Sequence, residues 1–221
     1  MHNGFAIALA WPETLCKQTG AWYEGVMKAF NFNQNGYYKV GHAAIVLVDD
    51  KTQTCHYFDF GRYHTPHGFG RVRSAFTDHD LTIKTKAVLS PDKTQITNIN
   101  AILSELFYNP STHGSGEIFG TSTSLNFEKA LEFILELQQK EFIAYGPFVP
   151  KGTNCSRFVC SVLKNAKINR TAKLALQFPA TVSPTPMWNL TALGQKKYSY
   201  DGVNTESIFE NRQIENQWQT T

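Results

Sequence analysis

A nearly continuous apolar run near the start of the chain places the strongest constraint on its fold. Residues 40 to 48 read Val-Gly-His-Ala-Ala-Ile-Val-Leu-Val, and a run without polar alternation is typical of a strand that is covered on both faces. The polar residues 49 to 52 interrupt the run, and residues 53 to 60 resume a β-like pattern. The sequence therefore predicts a hairpin whose first strand lies inside the molecule.

The turn of this hairpin decides which side chains of the two strands share a face. We take Asp50 and Lys51 as a two-residue turn. This register places Asp59 directly opposite His42, where the carboxylate can hold one nitrogen of the imidazole. It turns His56 to the other face, although a slip by one residue would exchange the two. A lone histidine at the start of a strand is more often structural, so the carboxylate partner is what favours a chemical role.

The second informative feature is a cysteine at the predicted start of a helix. Residues 152 to 154, Gly-Thr-Asn, precede Cys155, and Thr or Asn at this place can accept a hydrogen bond from an unpaired amide of the first turn. Cys155 then occupies the first helical position, where the helix dipole favours a thiolate and the free backbone amide can donate to an oxyanion. A buried cysteine that only fills space is the alternative.

Together, the two segments resemble the circularly permuted NlpC-type papain-like superfamily of cysteine peptidases and amidases. The resemblance lies in Gly-His-Ala-Ala-Ile-Val at residues 41 to 46 and Asn-Cys-Ser-Arg-Phe-Val at residues 154 to 159, with the histidine strand ahead of the cysteine helix. This group includes bacterial YiiX-like proteins and, more distantly, the lecithin retinol acyltransferases. The chain departs from the acyltransferases at Ser156 and Arg157, where they carry Glu and His.

The resemblance implies an α+β papain-like fold, in which an antiparallel sheet or small barrel packs against helices. It also implies that Cys155 is the nucleophile, His42 the base and Asp59 the third, polar residue that orients the imidazole. The expected function is hydrolysis of amide bonds by a peptidase or amidase through a thioester. Two alternatives remain open: acyl or lipid transfer through the same thioester, and a binding module that keeps the fold without turnover.

A loop rich in glycine, histidine and arginine follows the predicted hairpin over residues 61 to 73. Because the loop begins beside the candidate site, Arg62 and Arg71 are candidates to bind a carboxylate or phosphate of the substrate. The alternative is a solvated loop whose arginines pair with Asp78 or Asp80.

One further aromatic residue is a candidate for the site. Tyr145 stands ten residues before Cys155, and related papain-like enzymes often place a tyrosine hydroxyl near the nucleophile. A core aromatic is the alternative for Tyr145. The histidines of the chain match none of the tight zinc-binding spacings, so we expect no metal and no other cofactor.

The remaining pattern is compatible with one domain over residues 1 to 221, since 42% hydrophobic content at this length is enough for a substantial core. Within it we expect catalytic strands at about 39 to 61, a nucleophile helix at about 155 to 167 and a peripheral tail over 195 to 221. The apolar spacing further predicts helices over 21 to 30, 96 to 108 and 127 to 139, and a strand over 81 to 89.

Charge and hydropathy argue against a nucleic acid or a membrane as a partner. The formal net charge is only +3, with no dense run of Lys and Arg, which is not typical of a nucleic-acid-binding protein. No stretch approaches the roughly 18 apolar residues of a membrane helix, and the short apolar run at residues 5 to 11 predicts a strand rather than a secretory signal. We therefore expect a cytoplasmic protein with a small peptide, amide or acyl substrate, no nucleic-acid partner and no stable membrane insertion.

Overall fold

The fold is built on one large antiparallel sheet. The computed structural model describes residues 2–17, 33–34, 37–149, 151–177, 183–203 and 205–208. Its strands are β1 (Gly4–Trp11), β2 (Leu15–Lys17), β3 (Asn33–Gln34), β4 (Tyr37–Lys39), β5 (His42–Asp49), β6 (Cys55–Gly61), β7 (Phe69–Ser74), β8 (Ile118–Leu125), β9 (Ile143–Ala144), β10 (Lys197–Tyr200) and β11 (Thr205–Ile208). Its α-helices are α1 (Ile99–Tyr108), α2 (Phe127–Gln138), α3 (Cys155–Asn165), α4 (Arg170–Ala175) and α5 (Pro186–Ala192).

Eight strands form the main sheet, in the order β11-β10-β8-β1-β5-β6-β7-β9, and a smaller sheet has the order β2-β4-β3. Neighbouring strands run antiparallel in both sheets. This arrangement confirms the predicted α+β class with an antiparallel sheet. Strand β5 lies between β1 and β6, so both of its edges are occupied by ladder hydrogen bonds.

The continuous apolar run has its physical explanation in two cores, one on each face of the sheet. Because side chains alternate along a strand, Ala43 and Ile45 of β5 face a core built with helices α2 and α3. Ala44 and Val46 face the other core, to which α1 contributes its apolar side. Both faces of β5 are therefore covered, as predicted for a strand without polar alternation.

The hairpin has a different register from the predicted one. Strands β5 and β6 pair Ala44 with Asp59 and Val48 with Cys55, so the turn is longer than the predicted two residues and Asp59 does not lie directly opposite His42. The side chain of Asp49 accepts hydrogen bonds from the Lys51 amide at 3.0 Å and the Thr52 hydroxyl at 3.1 Å, which stabilises the wider turn.

The observed register differs from the predicted one by two residues, which determines the face of the sheet on which Asp59 lies. A shift by one residue would move a side chain to the opposite face, whereas a shift by two leaves it on the same face. Asp59 therefore still lies on the face of His42, displaced diagonally along the strand. His56 lies on the other face, with its ring centroid 5.9 Å from that of Phe127.

The predicted strand over residues 81 to 89 is wrong. A short 3-10 helix covers His79–Leu81, and the following extended segment forms only an isolated bridge between Leu89 and Ile96. Its amides bond elsewhere: those of Lys84 and Thr85 donate to the Glu105 carboxylate. The amide of Ala87 donates to the backbone carbonyl of Gln53. The segment is therefore extended and its side chains alternate, but it is held by scattered contacts and not by a ladder with a neighbouring strand.

The other predicted elements divide into three groups. The helices expected over 96 to 108, 127 to 139 and 155 to 167 are present as α1, α2 and α3. The helix expected over 21 to 30 lies outside the described residues. Part of the expected tail is built into the sheet, since β10 pairs with β8 and β11 pairs with β10. No helix in the described ranges is long and apolar enough to cross a membrane.

Gly41 fixes how the chain enters β5. Its φ of +75° lies in the left-handed region, and a Cβ atom there would lie 2.9 Å from the carbonyl oxygen of Trp11 and 3.1 Å from Cα of Pro12. Both neighbours are backbone atoms that cannot turn away. Only glycine fits this position without moving the first residue of β5, which is His42.

We predict that Gly41→Ala destabilises the protein by about 2 to 4 kcal/mol, because the left-handed conformation and the backbone clash act together. Gly194→Ala is the matched control, since Gly194 has a φ of +63° but nothing within 4 Å of the added Cβ. It should lose only about 1 to 2 kcal/mol. Urea unfolding of both variants measures the difference, and equal losses would show that the close approach at Gly41 is unimportant.

Candidate active site

Cys155 is the first residue of helix α3, as predicted. The preceding residue, Asn154, is the N-cap: its side-chain oxygen accepts a hydrogen bond from the Arg157 amide at 2.8 Å. The amide nitrogen of the same side chain donates to the Ser183 hydroxyl at 2.7 Å. The cap therefore fixes the first helical turn and also ties it to the chain segment before α5. Cys155 is 7% exposed at this helix terminus.

His42 joins the cysteine to the carboxylate. Its Nε2 atom lies 3.3 Å from Oδ2 of Asp59, and the Cys155 thiol is close enough to affect the charge of the ring. Burial opposes charge on the imidazole, but the hydrogen bond to Asp59 and the neighbouring Cys155 outweigh it and raise the pKa of His42 from 6.5 to about 9. The histidine is therefore protonated at neutral pH in this arrangement.

His42 lies at the end of its strand, which explains how its ring contacts groups on both faces of the sheet. By alternation its side chain belongs to the face of Ala44, where Asp59 also lies. Cys155 belongs to the core on the opposite face, since α3 packs against Ala43 and Ile45. The first residue of β5 lies at the end of the sheet, so its ring can contact groups from both faces. The Trp11 ring, 5.6 Å away, packs beside it.

Asp59 is fully buried and accepts hydrogen bonds from three side chains. Arg73 donates from Nε to Oδ1 at 2.9 Å and from Nη2 to Oδ2 at 2.5 Å, and the Tyr57 hydroxyl donates to Oδ2 at 2.9 Å. Burial alone would raise the pKa of Asp59, but the hydrogen bond from His42 and the charge of Arg73 lower it below 3.8. The carboxylate is therefore ionised.

Sequence reasoning missed Arg73 and Tyr57. Tyr57 stands two residues before Asp59 on β6 and therefore shares its face, a signal that the alternation already carries. Arg73 pairs directly with Asp59 in the β6–β7 ladder, which the prediction of one loop over residues 61 to 73 does not contain. Recognising β7 within that stretch would have placed the arginine opposite the carboxylate.

A cavity of 480 Å³ opens beside His42. Three of its lining residues, His42, His113 and Tyr145, come from separate parts of the chain. The others belong to β2 and the turn before it, or to the stretch from the end of β6 to the start of β7: Thr14, Leu15, Cys16, Phe60, Gly61, Arg62, Tyr63, Thr65, Pro66, His67, Gly68 and Phe69. Together, the lining residues include one arginine and three histidines but no carboxylate. The described residues contain no group of three His, Cys, Asp or Glu side chains arranged for a metal ion.

Two of the three predicted substrate-binding residues line this cavity. The guanidinium of Arg62 lies 5.0 Å from the centre of the Tyr145 ring. Burial and the neighbouring Cys155 raise the pKa of Tyr145 well above 10, so its hydroxyl is neutral. Arg71 does not line the cavity: it donates to both oxygens of Asp78, at 2.8 and 2.6 Å, and to the Tyr63 carbonyl at 2.9 Å.

A second thiol lies near Cys155. Cys16 lines the cavity, and its sulfur is 3.9 Å from the carbonyl oxygen of Gly41. Burial and the neighbouring Cys155 raise the pKa of Cys16 to about 11. The Cys16 thiol is therefore protonated at neutral pH, which leaves Cys155 as the cysteine paired with a charged imidazole.

We predict that Asn154→Ala costs about 1 kcal/mol of stability and also slows alkylation of Cys155. The first effect is loss of a helix cap, and the second is a loosened helix terminus, worth about two- to fivefold in rate. Asn126→Ala is the control, because Asn126 caps α2 by accepting from the Lys129 amide at 2.8 Å. It should lose similar stability with unchanged Cys155 reactivity. Equal slowing in both variants would contradict a local effect.

The charged state of His42 predicts a pH dependence of stability. Because the folded pKa, about 9, lies above the unfolded value of 6.5, the folded state holds an extra proton between these values. The stabilisation is complete below pH 6.5 and is lost as the pH rises through 9, by about 1 kcal/mol per pH unit. The free energy of unfolding of wild type minus that of His42→Gln should fall over this window; a constant difference would refute the assignment.

Comparison with known proteins shows the family to which this chain belongs. No curated protein matches the chain. The crystal structure of TseH, a type VI secretion system effector, has a similar fold, with a TM-score of 0.61 and 17% sequence identity over 94% of this chain and 99% of that chain. A family model described as type VI secretion system effector TseH-like matches residues 6–171, most of the sequence. The chain therefore belongs to the TseH-like family.

Proposed function

We propose that this protein is a cysteine hydrolase that cleaves amide bonds through a thioester on Cys155. The observation that carries the proposal is the contact of one imidazole with both the Cys155 thiol and the Asp59 carboxylate. A cysteine at a helix N-terminus beside an imidazolium is the environment that favours a thiolate. A purely structural cysteine has no need of a charged histidine held by a buried carboxylate.

Each residue then has one role in the reaction. The Cys155 sulfur attacks the substrate carbonyl carbon, and the backbone amide of Cys155, free at the helix terminus, donates to the oxyanion. His42 gives its proton to the leaving amine as the C–N bond breaks. A water molecule then attacks the thioester, His42 accepts a proton from it, and the carboxylic acid is released. Asp59 orients the ring through Nε2, which leaves Nδ1 to exchange the proton.

The cavity beside His42 is the proposed binding site for a small peptide, amide or acyl substrate. Its volume of 480 Å³ is in the usual range for small-molecule sites. Arg62 lines this cavity, and its guanidinium can form a bidentate pair with a substrate carboxylate. Tyr145 supports Arg62 through its ring.

The family bears on where the protein acts. Its description is that of type VI secretion system effectors, and we propose that this chain is one of them. It would then act where that system delivers it.

We predict that Cys155→Ala abolishes labelling by a peptidyl acyloxymethyl ketone and lowers hydrolysis of peptide amides at least about a thousandfold. Cys160→Ala is the control: Cys160 lies on the same helix and is also buried, but its sulfur lies 3.8 Å from the Leu176 carbonyl oxygen. That variant should still be labelled. Labelling of Cys155→Ala at another cysteine, or undiminished hydrolysis, would overturn the proposal.

The same assay separates the two alternatives. Added amine or alcohol acceptors that take up the acyl group in place of water would identify a transferase. A binding module would instead bind peptides without turnover, and Cys155 would react no faster than an ordinary exposed cysteine. Hydrolysis that depends on Cys155 and is unaffected by acceptors supports the hydrolase.

A further inference from the structure

Arg73 is a buried cation that the proposed mechanism does not use. Its side chain is 3% exposed, and a charge is placed there only when it is compensated by a partner. The partner is Asp59, which receives both Nε and Nη2 of the same guanidinium. This fork defines the plane and direction of the carboxylate, because its two parallel bonds allow one orientation.

The two oxygens of Asp59 have different surroundings. Oδ1 accepts from Arg73 Nε, whereas Oδ2 accepts from Arg73 Nη2 and the Tyr57 hydroxyl and also contacts His42 Nε2. Without the fork, the carboxylate can rotate and lose its contact with the imidazole. We propose that Arg73 is a positioning residue that keeps Asp59 charged and aimed at His42, an inference that rests on the proposed function of this site.

The charge of Arg73 matters as much as its shape. Burial penalises the ionised carboxylate, and Arg73 is one of the groups whose charge lowers the pKa of Asp59 against that penalty. Without this cation, the burial penalty is less well compensated and the protonated, neutral form of Asp59 is favoured. A neutral Asp59 stabilises the imidazolium of His42 less, which weakens the electrostatic support that the imidazole gives to a negative charge beside it.

Arg73 is itself fixed from the cavity side. Its Nη1 atom donates to the Ser111 carbonyl at 3.1 Å, and its guanidinium lies 4.3 Å from the centre of the Tyr63 ring. Tyr63 in turn stacks on His113 at a centroid distance of 3.9 Å, and both rings line the cavity. One cation therefore connects the cavity wall with the carboxylate.

Several titratable groups surround His42 and Asp59, so the experiment must separate the effect of Arg73 from the effects of the other groups. They come from four elements and three loops: Cys16, Tyr57, Tyr63, Arg73, Asp78, His113 and Cys155. Changing the residue at 73 alone leaves the other groups in place. Two substitutions separate its charge from its shape: Arg73→Lys keeps the charge and removes the fork, and Arg73→Gln removes both.

The test is the pH profile of Cys155 alkylation by iodoacetamide in the full chain, read by mass spectrometry of the Cys155 peptide. We expect Arg73→Lys to keep the acid limb of the profile but react about tenfold more slowly. We expect Arg73→Gln to move the acid limb up by at least one pH unit. Leu103→Ala, a fully buried change on α1, should be less stable with an unshifted profile.

Each outcome decides the inference. A folded Arg73→Gln with the wild-type acid limb, or an Arg73→Lys that reacts at the wild-type rate, would overturn it, as would the same shift in Leu103→Ala. If Arg73→Gln does not fold, Arg73→Lys decides alone. Alkylation needs no turnover, so the expected shifts without amide hydrolysis would overturn only the hydrolase. A wild-type profile without an acid limb would overturn both proposals.

Discussion

A charged carboxylate with no access to solvent is the constraint on which the rest of the site depends. An isolated carboxylate in the position of Asp59 would take up a proton rather than stay ionised. Three donors compensate it: His42, Arg73 and Tyr57. Because these donors have a defined geometry, the compensation also fixes the imidazole. The electrostatic requirement of burying Asp59 and the orientation of the proposed base are therefore satisfied by the same contacts.

The sheet topology supplies these donors without long connections. Strands β5, β6 and β7 are consecutive in the chain and adjacent in the sheet, and the antiparallel ladder sets Arg73 opposite Asp59. Helix α3 brings Cys155 from the other face, and Gly41 allows the chain to enter β5 at the end of the sheet. His42 therefore lies at the end of the sheet, where its ring can contact groups on both faces. A residue in the middle of the strand can contact groups on one face only.

The sequence predicted the parts of the site that follow from local rules. The cap before Cys155, the buried strand after Gly41 and the shared face of His42 and Asp59 are all set by periodicity and turn chemistry. The exact pairing was missed because the Asp49 side chain lengthens the turn, and Arg73 was missed because its partner lies on another strand. Residues 81 to 89 show the same limit: their bonds to Glu105 depend on tertiary contacts that alternation does not contain.

The order of these elements along the chain has a consequence for when the site exists. The histidine, the carboxylate and the arginine come from three successive strands, whereas the cysteine arrives on a helix much later in the sequence. Contacts between neighbouring strands close short loops, but docking of α3 closes a long one. The Cys155 thiol therefore meets the imidazole of His42 only when the chain has folded through α3, so the site is completed late even though its three charged residues lie on neighbouring strands.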